Sequence, residues 1–297
     1  MKNKKIIGNA LLTLVAIIWG TAFAFQRVGM DHIEPITFTA SRMSLAAVFI
    51  GIVSLIKKSN TEDVSQKENY NKNTIVGGIC CGCFLASASI FQQMGIVYTT
   101  AGKAGFITAL YMLLVPIISF VLFKKRNTLL VWLAVLLGIA GMYLLCMTES
   151  LELSRGDALI GICALLFSGH ILCCDHFAGR GNPIKISAIQ FLTTAIISWV
   201  FAFIMEKPNI ETILEAVIPI VYCGIVSGGI GYTLQMVAQK YTDPTVASLL
   251  MSLESVFAVI AGVIILNERM SGRELLGCII MFAAIIMVQI PLPKRKQ

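Results

Sequence analysis

Two stretches decide how this chain is read: QQMGIVYTTAGKAGFITALYMLLVPIISFVLFKKR, from Gln92 to Arg126, and QMVAQKYTDPTVASLLMSLESVFAVIAGVIILNER, from Gln235 to Arg269. They align without a gap at an offset of 143 residues. Seven of 35 positions are identical: Gln92/Gln235, Tyr98/Tyr241, Thr99/Thr242, Ala104/Ala247, Leu110/Leu253, Ile117/Ile260 and Arg126/Arg269. Apolar segments share residues by chance, so the polar Tyr-Thr match carries most of the signal. The runs that follow also correspond, Leu136-Leu137-Gly138 with Leu275-Leu276-Gly277. The chain therefore reads as two copies of one unit, residues 1–147 and 148–297.

Outward from these stretches the sequence is apolar almost throughout. Hydrophobic residues make up 57% and charged residues only 13% of the 297, against about 25% charged in a soluble domain. Lipid, unlike water, accepts that much apolar surface. A spanning helix needs about 20 apolar residues. Such runs lie at Ile6–Phe25, Pro35–Ile56, Thr74–Val97, Ala101–Phe123, Leu129–Met147, Ala158–Cys174, Pro183–Met205, Ile213–Ala238, Pro244–Leu266 and Leu275–Ile290. Helix starts are marked by Asn182-Pro183 and Asp243-Pro244, each an N-cap followed by proline at the first helical position, and by Glu34-Pro35. The polar stretch Lys57–Asn73 predicts a mobile loop. The expected fold is thus an all-α integral membrane protein of ten transmembrane helices. Five is an odd number, so the second five-helix unit enters the membrane from the other side, as an inverted repeat.

The basic residues orient this array. With the N-terminus inside, 16 Lys and Arg fall on the cytoplasmic side and six on the other, with Arg42 inside a span. That bias follows the positive-inside rule and predicts a multi-pass cell-membrane protein with both termini cytoplasmic. It also accounts for the net charge of +7 without nucleic acid. The run Lys124-Lys125-Arg126 reads as part of this orientation signal. The first helix is too long for the apolar core of a signal peptide, despite Lys2, Lys4, Lys5 and the small-x-small Ala22-Phe23-Ala24.

Inverted repeats recur in secondary transporters, with the substrate site near the midplane between the halves. Ionisable groups deep in a bilayer face a cavity or a partner. Two are deep here: Arg42, about 10 Å into its helix at 1.5 Å per residue, and Glu254, near the midplane. They read either as an ion pair fixing the halves together or as a substrate or proton site. Tyr111 is the repeat counterpart of Glu254. Trp19 lies deep in the first helix, away from the interfacial belt. Of the adjacent Gln92 and Gln93 at most one faces inward, and Gln235 is the repeat match of Gln92. Trp19, Arg42, Gln93, Tyr111, Gln235 and Glu254 are the expected substrate-binding set.

Other features have blander readings. Gly78-x-x-x-Gly82 and Gly224-x-x-x-Gly228 suit close helix packing. His170 reads as a hydrogen-bonded packing histidine. The nine cysteines read as small hydrophobes, without structural disulfides. In Cys173-Cys174-Asp175-His176 successive side chains point about 100° apart, so the string is poorly arranged for one ion and no metal or other cofactor is expected. No phosphate loop, nucleotide motif or nucleophile triad is present, hence no catalytic residues are assigned and an enzyme is not expected.

Read in order, Ile18-Trp19-Gly20-Thr21, Ser41-Arg42-Met43, Gln92-Gln93-Met94-Gly95, Ala104-Gly105-Phe106-Ile107, Leu110-Tyr111-Met112 through Pro116, Ser252-Leu253-Glu254-Ser255 and Leu266-Asn267-Glu268 resemble the drug/metabolite transporter superfamily, in its EamA family. Ser255 stands where that family often has the proline of L-E-P. The first half has Lys124-Lys125 where the acid of the family's L-x-E ending would fall. The resemblance covers nearly the whole chain and implies export or exchange of small metabolites, commonly amino acids or related compounds. The reading is therefore a secondary transporter of such compounds, working by alternating access as an exporter, with Pro116 and Pro219 permitting bends. Its partners are a small-molecule substrate, protons as a candidate coupling ion, and the lipid bilayer, with no nucleic acid, in a monomer or homodimer. An importer or facilitator of the same fold, a channel and a membrane-embedded enzyme are the alternatives.

Overall fold

The computed structural model describes residues 2–56, 64–125, 127–146, 154–265 and 271–289, and the regular elements among them are all helices. They are α1 (Lys2–Gly29), α2 (Pro35–Ile56), α3 (Val64–Ile96), α4 (Ala101–Ala109), α5 (Tyr111–Phe123), α6 (Leu129–Cys146), α7 (Arg155–Ala178) and α8 (Pro183–Met205). There follow α9 (Ile210–Glu215), α10 (Val217–Val221), the π-helix π1 (Tyr222–Tyr232), α11 (Thr233–Gln239), α12 (Pro244–Met251), α13 (Glu254–Ile265) and α14 (Gly272–Gln289). Among the described residues, eight helical spans are long and apolar enough to cross a membrane, and Leu129–Gly141 and Leu275–Met287 add two shorter apolar helices. Their outer faces carry Leu, Ile and Phe in the open, for instance Leu55, Phe203 and Ile204. Patches of this extent suit lipid and not water.

Three expectations change. Residues 64–73, read as part of a loop, belong to α3. No proline or glycine interrupts Val64–Val76, so nothing stops the backbone ladder at the end of the apolar run. The rest of that predicted loop, 57–63, lies outside the described residues. The span at Ile213–Ala238, read as one helix, begins at Ile210 and is divided among α9, α10, π1 and α11. Pro219 lies four residues after Glu215, the last residue of α9. Its ring would clash with that carbonyl, and the helix resets at Ala216. The spans Ala101–Phe123 and Pro244–Leu266 are each broken near the middle, after Ala109 and after Met251.

The second break has a local cause. Ser248, Ser252 and Ser255 return their hydroxyls to the carbonyls of Thr245, Leu249 and Ser252, at 2.9, 2.7 and 2.8 Å. Hydroxyls bonding back in this way compete with the i→i−4 ladder. The N–H groups of Leu253 and Ser255 donate instead to Leu250 and Ser252, a tightened i→i−3 pattern.

The offset of 143 recurs in the backbone. Thr100 and Asp243 are equivalent N-caps, accepting from Lys103 N–H and Thr245 N–H. Tyr98 N–H donates to Gly95 O, and Tyr241 N–H to Ala238 O, at 3.0 and 2.9 Å. Leu110 and Leu253 occupy the two breaks. α2 packs on α8 and α6 on α14, while α3 packs on α7 and α8, and α1 and α2 pack on π1. The glycine pairs serve these approaches. A Cβ on Gly82 would lie 2.6 Å from Thr193 Cβ, and one on Gly224 2.8 Å from Arg42 O. Polar links hold the same seams. Thr194 Oγ1 donates to Gly82 O (3.1 Å), Trp199 Nε1–H to Ser44 Oγ (2.9 Å), and Glu206 at the end of α8 accepts from the N–H groups of Ile36 and Thr37 that open α2.

Candidate functional site

α1, α2, α3 and the broken α4–α5 from one half meet α7, π1, α11 and α13 from the other around one interior cavity. Its non-atom space, open side included, is about 420 Å³. Trp19, Arg42, Tyr111, Gln235 and Glu254 line it, so the structure brings together five of the six expected residues.

Gln93 is the exception. Its side chain turns toward α1, where Nε2 lies 3.4 Å from Gln26 O. Gln92, one helix step of about 100° away, lines the cavity instead and donates to Thr108 Oγ1 at 3.3 Å. The expected inward-facing member of the pair was Gln93; the cavity wall has Gln92. The repeat match of Gln92 with Gln235, also on the wall, was the available signal.

Local breaks place the chemistry. Tyr111 opens α5 and Glu254 opens α13, so the two repeat-equivalent side chains enter the cavity from helix starts at mid-span. Both side chains line the cavity wall. Gly20 lets α1 approach this point: a Cβ there would sit 2.6 Å from Glu254 O and 2.4 Å from Phe257 Cβ. Trp19 is held by its ring nitrogen, which donates to Ser227 O at 3.2 Å, and by Tyr232, whose ring centre is 4.5 Å away. Both partners lie on π1. The wider winding of a π-helix re-aims backbone carbonyls, and such turns favour functional sites.

Arg42 and Glu254 are 4% and 3% exposed, and no ion pair within 4.0 Å joins them. The reading of a fixed structural ion pair is therefore set aside. Arg42 packs over the Phe38 ring, 5.7 Å from its centre. Its Nε, the Glu254 Oε1, the Tyr111 hydroxyl, the Gln26 Oε1 and both amide atoms of Gln235 find no hydrogen-bond partner among the described residues. Buried polar groups are normally paired, and leaving one unpaired costs roughly 1–3 kcal/mol, more when it is charged. Six such atoms facing one space describe a binding site better than a packed core.

Sequence reasoning missed several wall residues: Gln26, Thr108, His170, Ser227 and Tyr232. His170 is indeed hydrogen-bonded, with Nε2 3.1 Å from Gln190 Oε1, but it also faces the cavity. Within the string Cys173-Cys174-Asp175-His176 the side chains part. Asp175 and His176 line a separate cavity with Lys125 and Arg180, while Cys174 turns inward. Two ion pairs tie neighbouring spans outside the cavity, Lys103–Asp157 at 2.7 Å and Lys125–Asp243 at 2.5 Å.

Comparison with known proteins agrees with this architecture. The model of the EamA-like transporter family matches the chain twice, over residues 6–147 and 154–290. The chain is similar to an Archaeoglobus fulgidus protein named an uncharacterized transporter, with 29% identity covering 97% of this chain and 87% of the relative. It is also similar to the uncharacterized transporter YoaV of Bacillus subtilis, at 21% identity over 95% and 96% of the two chains, and to protein PagO of Salmonella typhimurium, at 22% over 86% and 84%. One solved crystal structure superposes with a TM-score of 0.75 over 95% of this chain and 96% of its own, at 18% identity. That likeness concerns the fold alone.

Proposed function

We propose that this chain, which belongs to the EamA-like transporter family, is a secondary transporter that exports amino acids or closely related metabolites by alternating access. Its transport function rests on the family and on relatives named as transporters. The substrate class, the direction and the cycle are our reading. In it, ten membrane helices form two inverted five-helix repeats, residues 1–147 and 148–297, with both termini on the cytoplasmic side of the cell membrane. The recurrence of caps, breaks and packing partners at equivalent positions supports the repeat. The 16-to-6 partition of basic residues supports the orientation.

One observation carries the substrate class. The cavity presents one cationic and one acidic side chain, both buried and neither paired with the other. A zwitterion complements such a wall. Its carboxylate pairs with Arg42, its ammonium with Glu254, and Gln92 and Gln235 supply amide contacts. The bound substrate thereby offsets the desolvation that each protein charge suffers alone. Trp19, Tyr111 and Tyr232 bound the space left for its side chain. Binding at a seam between halves lets rocking of one half against the other expose the site to either side. Glu254 is also the group through which a proton gradient would act, by holding a proton when no ammonium is present.

Counterflow in proteoliposomes tests this. Vesicles loaded with a mixture of amino acids should take up labelled amino acid, and Arg42→Met should abolish uptake of carboxylate-bearing substrates. Glu254→Gln should remove the dependence on a pH gradient. Inverted and right-side-out vesicles give the direction. Wild-type protein without counterflow for any amino acid would sink the substrate class. Unchanged transport and pH dependence in Glu254→Gln would sink proton coupling.

A further inference from the structure

The fold gathers soft metal ligands that the sequence keeps apart. Cys81 on α3 and His170 and Cys174 on α7 are each fully buried, and their ligand atoms lie within 4.8 Å of one another. Cys81 Sγ is 3.8 Å from Cys174 Sγ, and Cys174 Sγ is 3.5 Å and 3.8 Å from the Nε2 and Nδ1 of His170. Cys173 adds a third sulfur, 3.4 Å from that of Cys81. Zinc held at about 2.3 Å from sulfur and about 2.0 Å from nitrogen, in a tetrahedron, sets two sulfurs about 3.8 Å apart and sulfur and nitrogen about 3.5 Å apart. The sulfur–sulfur spacing already equals such an edge, and Nδ1 of His170, at 3.8 Å from Cys174 Sγ, lies slightly beyond its own.

We propose that Cys81, His170 and Cys174 supply three ligands of a site for a zinc-class divalent cation. Donor type points to a soft or borderline ion, because two sulfurs and an imidazole exclude magnesium and calcium, which take oxygen. Charge points to a divalent one. Two thiolates and a neutral imidazole cancel a double positive charge, and a neutral complex is the least costly to bury. The outer contacts also fit. A ligating histidine usually gives its other ring N–H to an acceptor, which fixes the ring. Here Nε2–H reaches Gln190 Oε1 at 3.1 Å, leaving Nδ1 for the ion. Since α3 lies in the first half and α7 in the second, a bound ion ties the halves together and holds His170 on the cavity wall.

Cobalt is a spectroscopic stand-in for zinc. The full-length protein, reduced, stripped with chelator and kept in detergent, should bind about one Co²⁺ per chain, with a thiolate-to-cobalt charge-transfer band and the visible bands of a tetrahedral ion. Zn²⁺ should displace it and bleach both. Cys81→Ser with Cys174→Ser should abolish the bands and Cys83→Ser should keep them. Gln190→Leu should weaken binding about 10–100-fold. A second readout needs no variant: Zn²⁺ should slow alkylation of Cys81 and Cys174 but not of the exposed Cys83, as mapped by mass spectrometry. Monodisperse wild-type protein that shows neither charge-transfer band nor protection overturns the proposal, and so does a band that survives loss of Cys81 and Cys174.

Discussion

The Lys103–Asp157 pair joins α4 to α7 and makes an uneven prediction. Asp157 is 3% exposed and opens α7 as the third residue of a capping box with Ser154. Its Oδ2 accepts from Lys103 Nζ at 2.7 Å and from Ser154 N–H at 2.9 Å. Asp157→Asn keeps an oxygen for the Ser154 N–H and loses only the charge on the lysine bond. Bonds to charged groups contribute about 1.5–3 kcal/mol. The Lys103 side chain is 25% exposed, so water compensates in part and the lower figure, about 1.5 kcal/mol, is expected. Asp157→Ala removes the cap as well, about 1 kcal/mol more, for a total near 2.5 kcal/mol. Lys103→Met is the most damaging, about 3 kcal/mol, because it leaves the buried carboxylate uncompensated. The double variant Lys103→Met/Asp157→Asn should recover much of that loss, with a coupling energy of about 1–2 kcal/mol. Unfolding of the four proteins in detergent, by denaturant midpoint at equal slope, measures the cycle. If Lys103→Met destabilises no more than Asp157→Asn, or if the cycle adds to within about 0.5 kcal/mol, the pair does not hold these spans together.

Two further predictions concern the cavity. Gly20→Val places branched atoms against Glu254 O and Phe257 Cβ, where a Cβ alone would be at 2.6 and 2.4 Å. Overpacking of this kind costs about 1–3 kcal/mol, so the variant should melt earlier and lose transport, while Gly51→Val, with open space around it, should do neither. Gln92→Leu should raise the half-saturating substrate concentration in counterflow at least severalfold, whereas Gln93→Leu, whose side chain turns toward Gln26, should leave it within about twofold. Equal effects of the two would mean that the helix face is misassigned.

What was legible in the sequence follows from which signals are local. Pro35–Ile56 and Pro183–Met205 match their helices end to end, because proline marks each start, with Asn182 capping the second, and an apolar run sets the length. Arg42 and Glu254 were found because a charge in an apolar run is conspicuous wherever it points. The choice between Gln92 and Gln93 was not local. A rotation of about 100° decides it, and that rotation is set by how α3 packs on α7 and α8. The same holds for Cys81 and Cys174, 93 residues apart. The string at Cys173 does not contain Cys81, and only the α3–α7 seam puts Cys81 opposite His170 and Cys174.

The two mid-span breaks show the limit most clearly. In the first half the break comes at Leu110, with Pro116 in the helix that follows; in the second it comes at Ser252-Leu253, with Val259 at the position equivalent to Pro116. One break has a nearby proline and the other three back-bonding serines, yet both fall at the same place in the repeat. A break that recurs on different local chemistry answers to a shared demand of the surroundings. That demand is the cavity, which needs Tyr111 and Glu254 to enter it from helix starts and not from the side of a continuous helix. Ser255, where the family resemblance led one to expect a proline, is then no defect. The serines redirect the same backbone bonds that a proline would remove, and Glu254 reaches the cavity either way.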